Sequence, residues 1–400
     1  MEAIDSAAHR QAESSGRRAT VIGAGIAGLA AAVRLRQEGW DVVVVERAPS
    51  RRSSGYLVNL HGPGYAAAER LGLLPALTPR DIGFFTSVLV HADGREKLRI
   101  PAAVTEAAVG GRALSVFRGD VESALYDAVA EFADIRFGVT VRAITQTAGE
   151  VDVTLSDDTR LRSELLVGAD GVHSRVRELV FGAESEYFVD LGHMVGAFPL
   201  ETSPVHLPDG VGTTFIGPGR TGAVMNLGPG RSSAFFAYRC PDPAAELALG
   251  AAPALTRAFG DLGGGVAEAL RQLEPDTAYF DSVGQIVMDR WSQGRVVLVG
   301  DAAWCVTVFA GYGAALALDG ADRLGTALAA HGDDIPAALG AWETALRPEV
   351  DKRQALARKG ISRFAPASRA QVWAGEMMLR AIQLPGIRGL VRRSIQRANN

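Results

Sequence analysis

A glycine-rich turn constrains what this chain can fold into more than any other feature. Residues Ala19 to Ile22 form a short apolar run, Gly23-Ala24-Gly25-Ile26-Ala27-Gly28 follows it, and Leu29 to Glu38 has the pattern of an amphipathic helix. In a G-x-G-x-x-G turn the first glycine allows a tight bend, the second lets a pyrophosphate approach the backbone, and the third lets the helix pack on the strand. The helix start offers backbone N–H groups and a positive dipole end to phosphates. The motif therefore predicts dinucleotide binding.

The next apolar run, Asp41 to Val45, ends in Glu46, eighteen residues after Gly28. An acid at this place fits two ribose hydroxyls and disfavours a 2′-phosphate, so it favours the adenosine of FAD or NAD over that of NADP. Because strand–helix–strand crossovers are right-handed, the two strands are predicted to be neighbours in a parallel sheet. A second match to the glycine pattern, Gly217 to Gly222, leads into another strand, so it predicts a hairpin turn.

Strand segments of two kinds alternate along the chain. Apolar segments typical of buried parallel strands return at Leu165 to Gly168 and at Arg295 to Val299. Between Phe188 and Ile286, short strands alternate with turns rich in proline and glycine, which is typical of an antiparallel sheet. We therefore expect an α/β fold in which a Rossmann-type domain is assembled from discontinuous segments. The antiparallel sheet is inserted into it, and helices end the chain.

Composition excludes several classes of protein. A hydrophobic fraction of 48% and a charged fraction of 22% are ordinary for a globular chain, and a net charge of -4 gives no reason to expect nucleic acid as a partner. Cys240 and Cys305 match no metal-ligand or disulfide spacing, so we expect reduced thiols and no metal. No apolar run is long enough for a membrane span. The polar first seventeen residues lack the apolar stretch of a signal peptide, so the expected location is the cytoplasm.

Two later motifs narrow the class. The segment Val167 to Arg177 (VGADGVHSRVR) resembles the "DG" motif of flavin-dependent aromatic hydroxylases, and Arg295 to Ala303 (RVVLVGDAA) resembles their "GD" motif. Gly23, Asp170 and Asp301 stand in the order and rough spacing of the p-hydroxybenzoate hydroxylase family. The chain thus resembles the class A flavoprotein monooxygenases. The stretch LVNLHGPG at residues 57–64 adds a closer resemblance to tetracycline-hydroxylating flavoproteins.

The resemblance implies a set of residues around FAD. Asp301 accepts a hydrogen bond from the ribityl chain, Arg118 contacts the flavin side chain, and Asn59 takes the place of an aspartate that meets FAD. Arg52 matches an arginine linked to NADPH, and the DG segment serves both FAD and NADPH, with Asp170 and Arg177 fixing its loop. The helix that follows the segment FAGYG would direct its N-terminus at the flavin pyrimidine and stabilise negative charge there. Besides the glycine turn of residues 23–28, the expected cofactor-binding residues are Glu46, Arg47, Arg52, Asn59, Arg118, Asp170, Gly300, Asp301, Gly311 and Gly313.

The chain departs from the family between Trp304 and Ala315. The family's histidine, two prolines and asparagine are replaced by Trp304, Thr307, Val308 and Ala315. We therefore expect the pyrimidine edge of the flavin to be contacted by backbone only, and no proline carbonyl to position a phenolic substrate.

The expected function is that of an NADPH-using monooxygenase. The resemblance implies that NADPH reduces the flavin, that oxygen forms a C4a-hydroperoxide, and that an aromatic or polycyclic small molecule is hydroxylated or epoxidised, with no catalytic side chain required. NADH in place of NADPH stays open, as does a monomer or a homodimer. A flavin dehydrogenase is one alternative, and a non-redox cyclase that keeps FAD as a structural element is another. A halogenase is disfavoured because the chain has no W-x-W-x-I-P segment.

The sequence also gives expectations for several single side chains and for the limits of the domains. His61, His173 and His193 are interpreted as hydrogen-bonded structural histidines. Phe215, Met225, Phe236 and Tyr238 are either core or the apolar wall of a substrate pocket. The expected limits are residues 18–75, 105–182 and 286–345 for the FAD-binding domain, 76–104 and 183–285 for the substrate-binding domain, 346–400 for the C-terminal helical segment and 1–17 for a flexible N-terminus.

Overall fold

The computed structural model describes residues 16–51, 56–109, 112–274 and 278–383. Its strands are β1 (Arg18–Ile22), β2 (Asp41–Glu46), β3 (Leu57–His61), β4 (Thr86–Val90), β5 (Glu96–Ile100), β6 (Ala113–Phe117), β7 (Asp134–Phe137), β8 (Val141–Gln146), β9 (Val151–Leu155), β10 (Arg160–Ser163), β11 (Leu165–Gly168), β12 (Phe188–Leu200), β13 (Val211–Gly217), β14 (Arg220–Asn226), β15 (Ser232–Arg239), β16 (Tyr279–Ile286), β17 (Ser292–Gln293) and β18 (Val296–Leu298). Its α-helices are α1 (Ile26–Gln37), α2 (Pro63–Arg70), α3 (Leu74–Leu77), α4 (Ala102–Val109), α5 (Arg118–Ala130), α6 (Arg175–Val180), α7 (Pro243–Leu249), α8 (Ala251–Phe259), α9 (Val266–Arg271), α10 (Asp301–Trp304), α11 (Gly313–His331), α12 (Ile335–Phe364) and α13 (Arg369–Ile382).

The first sheet has six strands in the order β17-β18-β11-β1-β2-β7, all parallel except β17. Val21, Val44 and Leu166 on three of these strands are fully buried, as expected for a sheet that is covered on both faces. Its strands come from separate stretches of the chain, which confirms the expected assembly from discontinuous segments. The carboxyl ends of β1, β11 and β18 therefore meet along one edge, where ligands of open α/β sheets bind.

A seven-stranded sheet has the order β16-β12-β15-β14-β13-β4-β5 and is antiparallel except between β13 and β4. One face packs Phe198 and Phe236 against Phe259 of α8. The opposite face carries Val195, Ala237 and Val283, which pack with Phe309 from the loop after α10.

Successive side chains on a strand point to opposite faces of the sheet. This alternation assigns each of the four side chains whose role the sequence left open, Phe215, Met225, Phe236 and Tyr238, to one face. Phe236 and Tyr238 are buried in the core against the helices, and Phe215 packs on the same core. Met225 follows the buried Val224 on β14 and therefore belongs to the opposite face. The second glycine match lies in the β13–β14 hairpin, where Gly217 pairs with Arg220, so the predicted hairpin turn is confirmed.

The C-terminal part of the described chain is helical. Helix α12 runs without a break from Ile335 to Phe364 and contains Pro348. The expected domain limit at 345/346 falls inside this helix, and the division into domains stays a prediction. Within the described ranges, no helix combines the length and the apolar character needed to cross a bilayer.

Candidate functional site

A cavity of about 900 Å³ lies between the strand ends of the first sheet, helix α5 and the edge of the seven-stranded sheet. Ala24, Glu46 and Asp170 come to it from the first sheet, and Tyr279 and Asp281 come from β16. A smaller cavity of about 190 Å³ lies beside Gly23 and shares part of this lining. The predicted cofactor residues that line the larger cavity are Ala24, Gly25, Glu46, Arg47, Arg118, Asp170 and Asp301.

The three glycines of the first motif have different physical reasons for being glycine. Gly23 has a φ of 106°, and a Cβ there would lie 2.4 Å from the Ala169 carbonyl oxygen. A Cβ at Gly28 would lie 1.9 Å from the Gly23 carbonyl oxygen. At Gly25 the nearest atom would be Arg118 Nη2, at 3.9 Å. The protein's own packing therefore requires glycine at positions 23 and 28. At position 25 the packing would accept a side chain, and the effect of glycine there is to expose backbone to the larger cavity.

Glu46 holds the glycine turn in shape. Its Oε2 accepts a hydrogen bond from the Ala24 amide and its Oε1 accepts one from the Ala48 amide, each at 2.8 Å. A carboxylate oxygen has a second lone pair, so each oxygen can still accept from a ligand hydroxyl. The contact with a ribose stays a prediction.

Asp301 and Arg118 face each other deep in the protein. Asp301 follows Gly300, whose φ is 63° and whose added Cβ would lie 2.5 Å from the Ala27 side chain, so the GD turn packs tightly on α1. Asp301 is exposed to the cavity although protein surrounds it. Burial raises its pKa, and the Arg118 guanidinium and a hydrogen bond from Cys305 oppose that shift.

Arg118 is held from both ends. Its backbone N–H donates to the Tyr56 carbonyl oxygen at 2.9 Å, and its Nη2 lies 2.7 Å from Glu122 Oε1. Burial lowers the pKa of Arg118, but Tyr56, Glu122 and Asp301 outweigh it and the pKa is raised. Arg118 therefore remains a cation beside the Gly25 backbone, where an anionic ligand would be stabilised.

The DG motif is a structural clamp. Asp170 Oδ1 accepts from the Ser174 hydroxyl at 2.5 Å, and Oδ2 accepts from the Arg175 and Val176 amides at 2.7 and 3.0 Å, so Asp170 fixes the start of α6. Burial raises the pKa of Asp170 against these hydrogen bonds, which lower it.

Arg177 joins the DG loop to the GD segment. It is fully buried, and it donates to the carbonyl oxygens of Ala302 at 3.0 Å and Val172 at 2.6 Å and to Glu184 Oε2 at 3.0 Å. The expectation that Arg177 fixes the loop agrees with this geometry. Its burial leaves it no surface for contact with a nucleotide from solution.

Several expected cofactor residues do not line either cavity. Asn59 on β3 is exposed and accepts a hydrogen bond from the Ser115 hydroxyl at 2.9 Å. Gly311 has a φ of 59° and precedes α11, and Gly313 is the first residue of α11; at both positions the space that a side chain would occupy is open, so neither obstructs the N-terminus of the helix. Arg52 lies outside the described residues. The cofactor roles of these four residues stay predictions.

The departures from the family pattern have visible structural consequences. Trp304 is 2% exposed and packs on Trp291 and Trp342, at ring distances of 4.8 and 5.7 Å, so the place of the family's histidine belongs to the core here. Thr307 has a φ of 81°. Proline is fixed near −65°, and a β-branched residue at positive φ is strained. The loop after α10 therefore has a backbone that the family's proline cannot adopt.

Three of the cavity residues that sequence reasoning did not assign to the site carry chemistry that bears on its function. Tyr56 and Tyr279 line the larger cavity, with ring centroids 5.8 Å apart. His173, interpreted as structural, lines both cavities; its Nδ1 lies 3.0 Å from Glu184 Oε1 and its Nε2 lies 3.7 Å from Asp281 Oδ2. Asp281 and Glu184 raise the pKa of His173 to about 9 against burial, which lowers it. The only signals in the sequence were the position of Tyr56 directly before β3 and the position of His173 within the DG motif.

The residues present fit an FAD molecule. Bare backbone at Gly25, a carboxylate and a guanidinium that face the same internal cavity, and helix starts at α1 and α11 without side-chain caps are all features that a dinucleotide would satisfy. The Asp301 carboxylate faces the cavity and can accept a hydrogen bond from a hydroxyl of the cofactor.

Comparison with known proteins agrees with this site. The family model described as "FAD binding domain" matches residues 18–339. The FAD-dependent monooxygenase asL6 of Sarocladium schorii is 30% identical over 372 residues, which are 86% of this chain and 87% of the relative. The tetracycline destructase Tet(51) has the same fold, with a TM-score of 0.79 and 24% identity over 96% of this chain and 97% of its own. HpxO of Klebsiella pneumoniae, solved with FAD and uric acid, has a TM-score of 0.76 and 26% identity, and it covers 95% of this chain and 97% of its own.

Together the fold, the three motifs around one cavity and these likenesses define an FAD-dependent monooxygenase of the aromatic hydroxylase class. The chain belongs to the FAD binding domain family. The resemblance inferred from Gly23, Asp170 and Asp301 is therefore confirmed.

Proposed function

We propose that this protein uses NADPH and molecular oxygen to hydroxylate or epoxidise an aromatic or polycyclic small molecule. In this proposal FAD is held along the larger cavity by the glycine turn, Glu46, Arg118 and Asp301, and the substrate lies on the side of the seven-stranded sheet. Bound FAD supplies electron acceptance from the nicotinamide and activation of oxygen. The observation that carries the proposal is that the bare Gly25 backbone, Arg118 and Asp301 line one cavity.

The chain's own residues would orient the reactants and exclude water. Arg118 places a fixed positive charge beside Gly25. The start of α11 has no side-chain cap, so its backbone N–H groups and positive dipole end would be available to a negatively charged part of the flavin. Burial raises the pKa values of Asp301 and Cys305 above their ordinary ranges, so both groups favour their neutral forms more than in water. Bound FAD and substrate would displace water from this part of the cavity, and exclusion of water would suppress competing hydrolysis and proton leakage.

The nicotinamide nucleotide needs cationic groups that are accessible. Asp170 and Arg177 are occupied in fixing the DG and GD loops, as shown above. Arg47, Arg51 and Arg80 line the larger cavity and are exposed or half-buried. Charges at such positions attract phosphates and are screened by salt, so NADPH affinity is expected to fall as ionic strength rises. Measuring the affinity for NADH beside that for NADPH in the same experiment would show which nucleotide the protein uses.

One specific observation favours a second candidate. Trp304 and Thr307 rebuild the loop that carries a histidine and prolines in the hydroxylases, and Thr307 keeps a strained backbone there. A non-redox cyclase that keeps FAD as a structural element, or a flavin dehydrogenase, would not require the hydroxylase form of this loop.

Stopped-flow absorbance of the purified yellow protein distinguishes these functions. We expect NADPH to bleach the flavin band and oxygen to restore it, with non-covalent FAD at about one per chain. Asp301→Ala is expected to give a folded but colourless protein, because the substitution removes a polar partner of the cofactor while the core is kept. An absence of bleaching, with and without substrate, would contradict the monooxygenase and favour the cyclase. Full FAD content in Asp301→Ala would contradict the proposed role of Asp301.

A further inference from the structure

Two tyrosines meet where the larger cavity passes from the first sheet to the second. Tyr56 directly precedes β3, and Tyr279 begins β16 of the seven-stranded sheet. Their ring centroids are 5.8 Å apart and their planes are inclined by 45°. Both side chains line the cavity. Although the two residues are far apart in the sequence, their rings lie side by side. Together they form one aromatic surface between the two halves of the protein.

Neither phenol hydroxyl has a hydrogen-bond partner among the residues that the structure describes. Both side chains are half-buried and line the cavity, so each hydroxyl is accessible to a ligand there, and a tyrosine hydroxyl that a ligand covers needs a hydrogen-bond partner. Burial is the main cause that raises the pKa of Tyr56 to about 12, and burial together with Asp281 raises the pKa of Tyr279 well above its ordinary value. Both hydroxyls therefore stay protonated and can donate to an acceptor in the cavity.

The neighbours of the pair indicate which occupant it serves. The proposed FAD contacts, namely the glycine turn, Arg118 and Asp301, belong to the first-sheet side of the cavity. Tyr279 and Asp281 lie on the inner face of β16, together with Pro199 and Ser232 at the ends of β12 and β15. None of the expected cofactor residues lies on this second wall of the cavity. A ligand that lies against it meets two aromatic faces and two hydroxyl donors.

We propose that Tyr56 and Tyr279 determine substrate specificity: they hold a planar fused-ring compound against their faces and donate hydrogen bonds to its phenol or quinone oxygens. The inference rests on the proposed function, since it names the residues that select the substrate of that same site. Offset or tilted aromatic contacts suit a flat conjugated ligand, and oxygen acceptors on its rim would satisfy both hydroxyls. A purely aliphatic substrate would leave both hydroxyls without partners.

Binding of 1,8-dihydroxyanthraquinone to the FAD-loaded protein tests the proposal without NADPH or turnover. We compare the wild type with Tyr56→Phe, Tyr279→Phe and the double variant, and follow the flavin absorbance change during titration. Each phenylalanine keeps the ring, and at position 56 it also keeps the backbone carbonyl that binds Arg118. We expect each single change to raise Kd about fivefold and the double change about twenty-fivefold, as for the loss of one and two ordinary hydrogen bonds.

Tyr126→Phe is the matched control, because Tyr126 lines the same cavity but packs its ring under Arg51 at 4.1 Å. Its Kd is expected to equal that of the wild type, and all variants are expected to keep full FAD content and the wild-type Tm. Failure of the wild type to bind the quinone would overturn the inference, as would equal Kd values in all variants. Loss of FAD from the Tyr56 or Tyr279 variants with an unchanged Kd for the remaining holoprotein would assign the pair to the cofactor instead. Flavin bleaching by NADPH, measured separately, reports on the proposed function alone.

Discussion

Replacing Gly25 by alanine should separate cofactor binding from folding. Gly25 has a φ of −81°, which any residue adopts, and its added Cβ would come no closer than 3.9 Å to another atom. The change in unfolding free energy of the apoprotein is therefore expected to lie within about 1 kcal/mol, since Gly→Ala at a compatible position is neutral or mildly stabilising. The new methyl group would, however, occupy the space between α1 and Arg118 where the pyrophosphate is proposed to lie. A cofactor that must back away from bare backbone loses close hydrogen bonds, so FAD Kd should rise at least tenfold, which corresponds to about 1.4 kcal/mol.

Gly23→Ala is the contrasting variant in the same turn. Its Cβ would lie 2.4 Å from the Ala169 carbonyl oxygen at a φ of 106°, so the fold itself is strained. We expect a loss of unfolding free energy of more than about 2 kcal/mol in the apoprotein. Thermal unfolding of the apoproteins and fluorescence titration with FAD measure the two quantities independently. Wild-type FAD affinity in Gly25→Ala, or equal destabilisation by both substitutions, would refute the assignment of Gly25 to the pyrophosphate.

Two further predictions follow from buried and titrating groups. Since the folded-state pKa of His173 is about 9 and the ordinary value is 6.5, its ion pairs contribute fully below about pH 6.5, and the contribution is lost as pH rises through 9. The Tm of the wild type should therefore fall more between pH 6.5 and 9 than that of His173→Asn, and equal slopes would contradict the pairing with Glu184 and Asp281. Arg177→Met should lower the unfolding free energy by about 3 kcal/mol or more, because two carbonyl oxygens and Glu184 lose a buried charged donor. Denaturant unfolding measures this loss, and a variant of normal stability with only a raised KM for NADPH would show that Arg177 serves the nucleotide instead.

The sequence was sufficient for features that depend on local backbone chemistry. The glycine turn with Glu46, the buried valine-rich strands and the β13–β14 hairpin each follow from short segments whose residue types leave few conformations. The pairing of β1 with β2 followed from the handedness of crossovers, and the return of apolar segments indicated further parallel strands without their order. Long-range contacts were not accessible in this way. Nothing near Asn59 indicates that Ser115 binds it, and nothing near Tyr56 indicates that Tyr279 lies beside it.

Charged and helix-breaking residues were the least predictable. Arg177 has the sequence context of an exposed helix residue, and only the packing of the DG loop against Ala302 shows that it is buried. A separate C-terminal segment was expected from residue 346, but α12 continues through this limit and through Pro348. Proline lacks a backbone donor, which weakens a helix without always ending it. Trp342 and Leu346, six and two residues before Pro348, are buried, and their packing stabilises the helix in a way that propensity alone does not reveal.

The contacts between the three motifs explain why they belong together in one chain. Gly300 in the GD turn lies so close to Ala27 of the first glycine helix that it has no room for a side chain. Arg177 of the DG segment donates to Ala302, one residue past Asp301, and Gly23 lies against the Ala169 backbone directly before Asp170. Each motif thus supports the backbone of another, and the resulting unit fixes where Gly25, Arg118 and Asp301 face the cavity. Because the proposed cofactor residues are positioned by this shared packing, the changed loop at Trp304 and Thr307 is compatible with the binding of FAD.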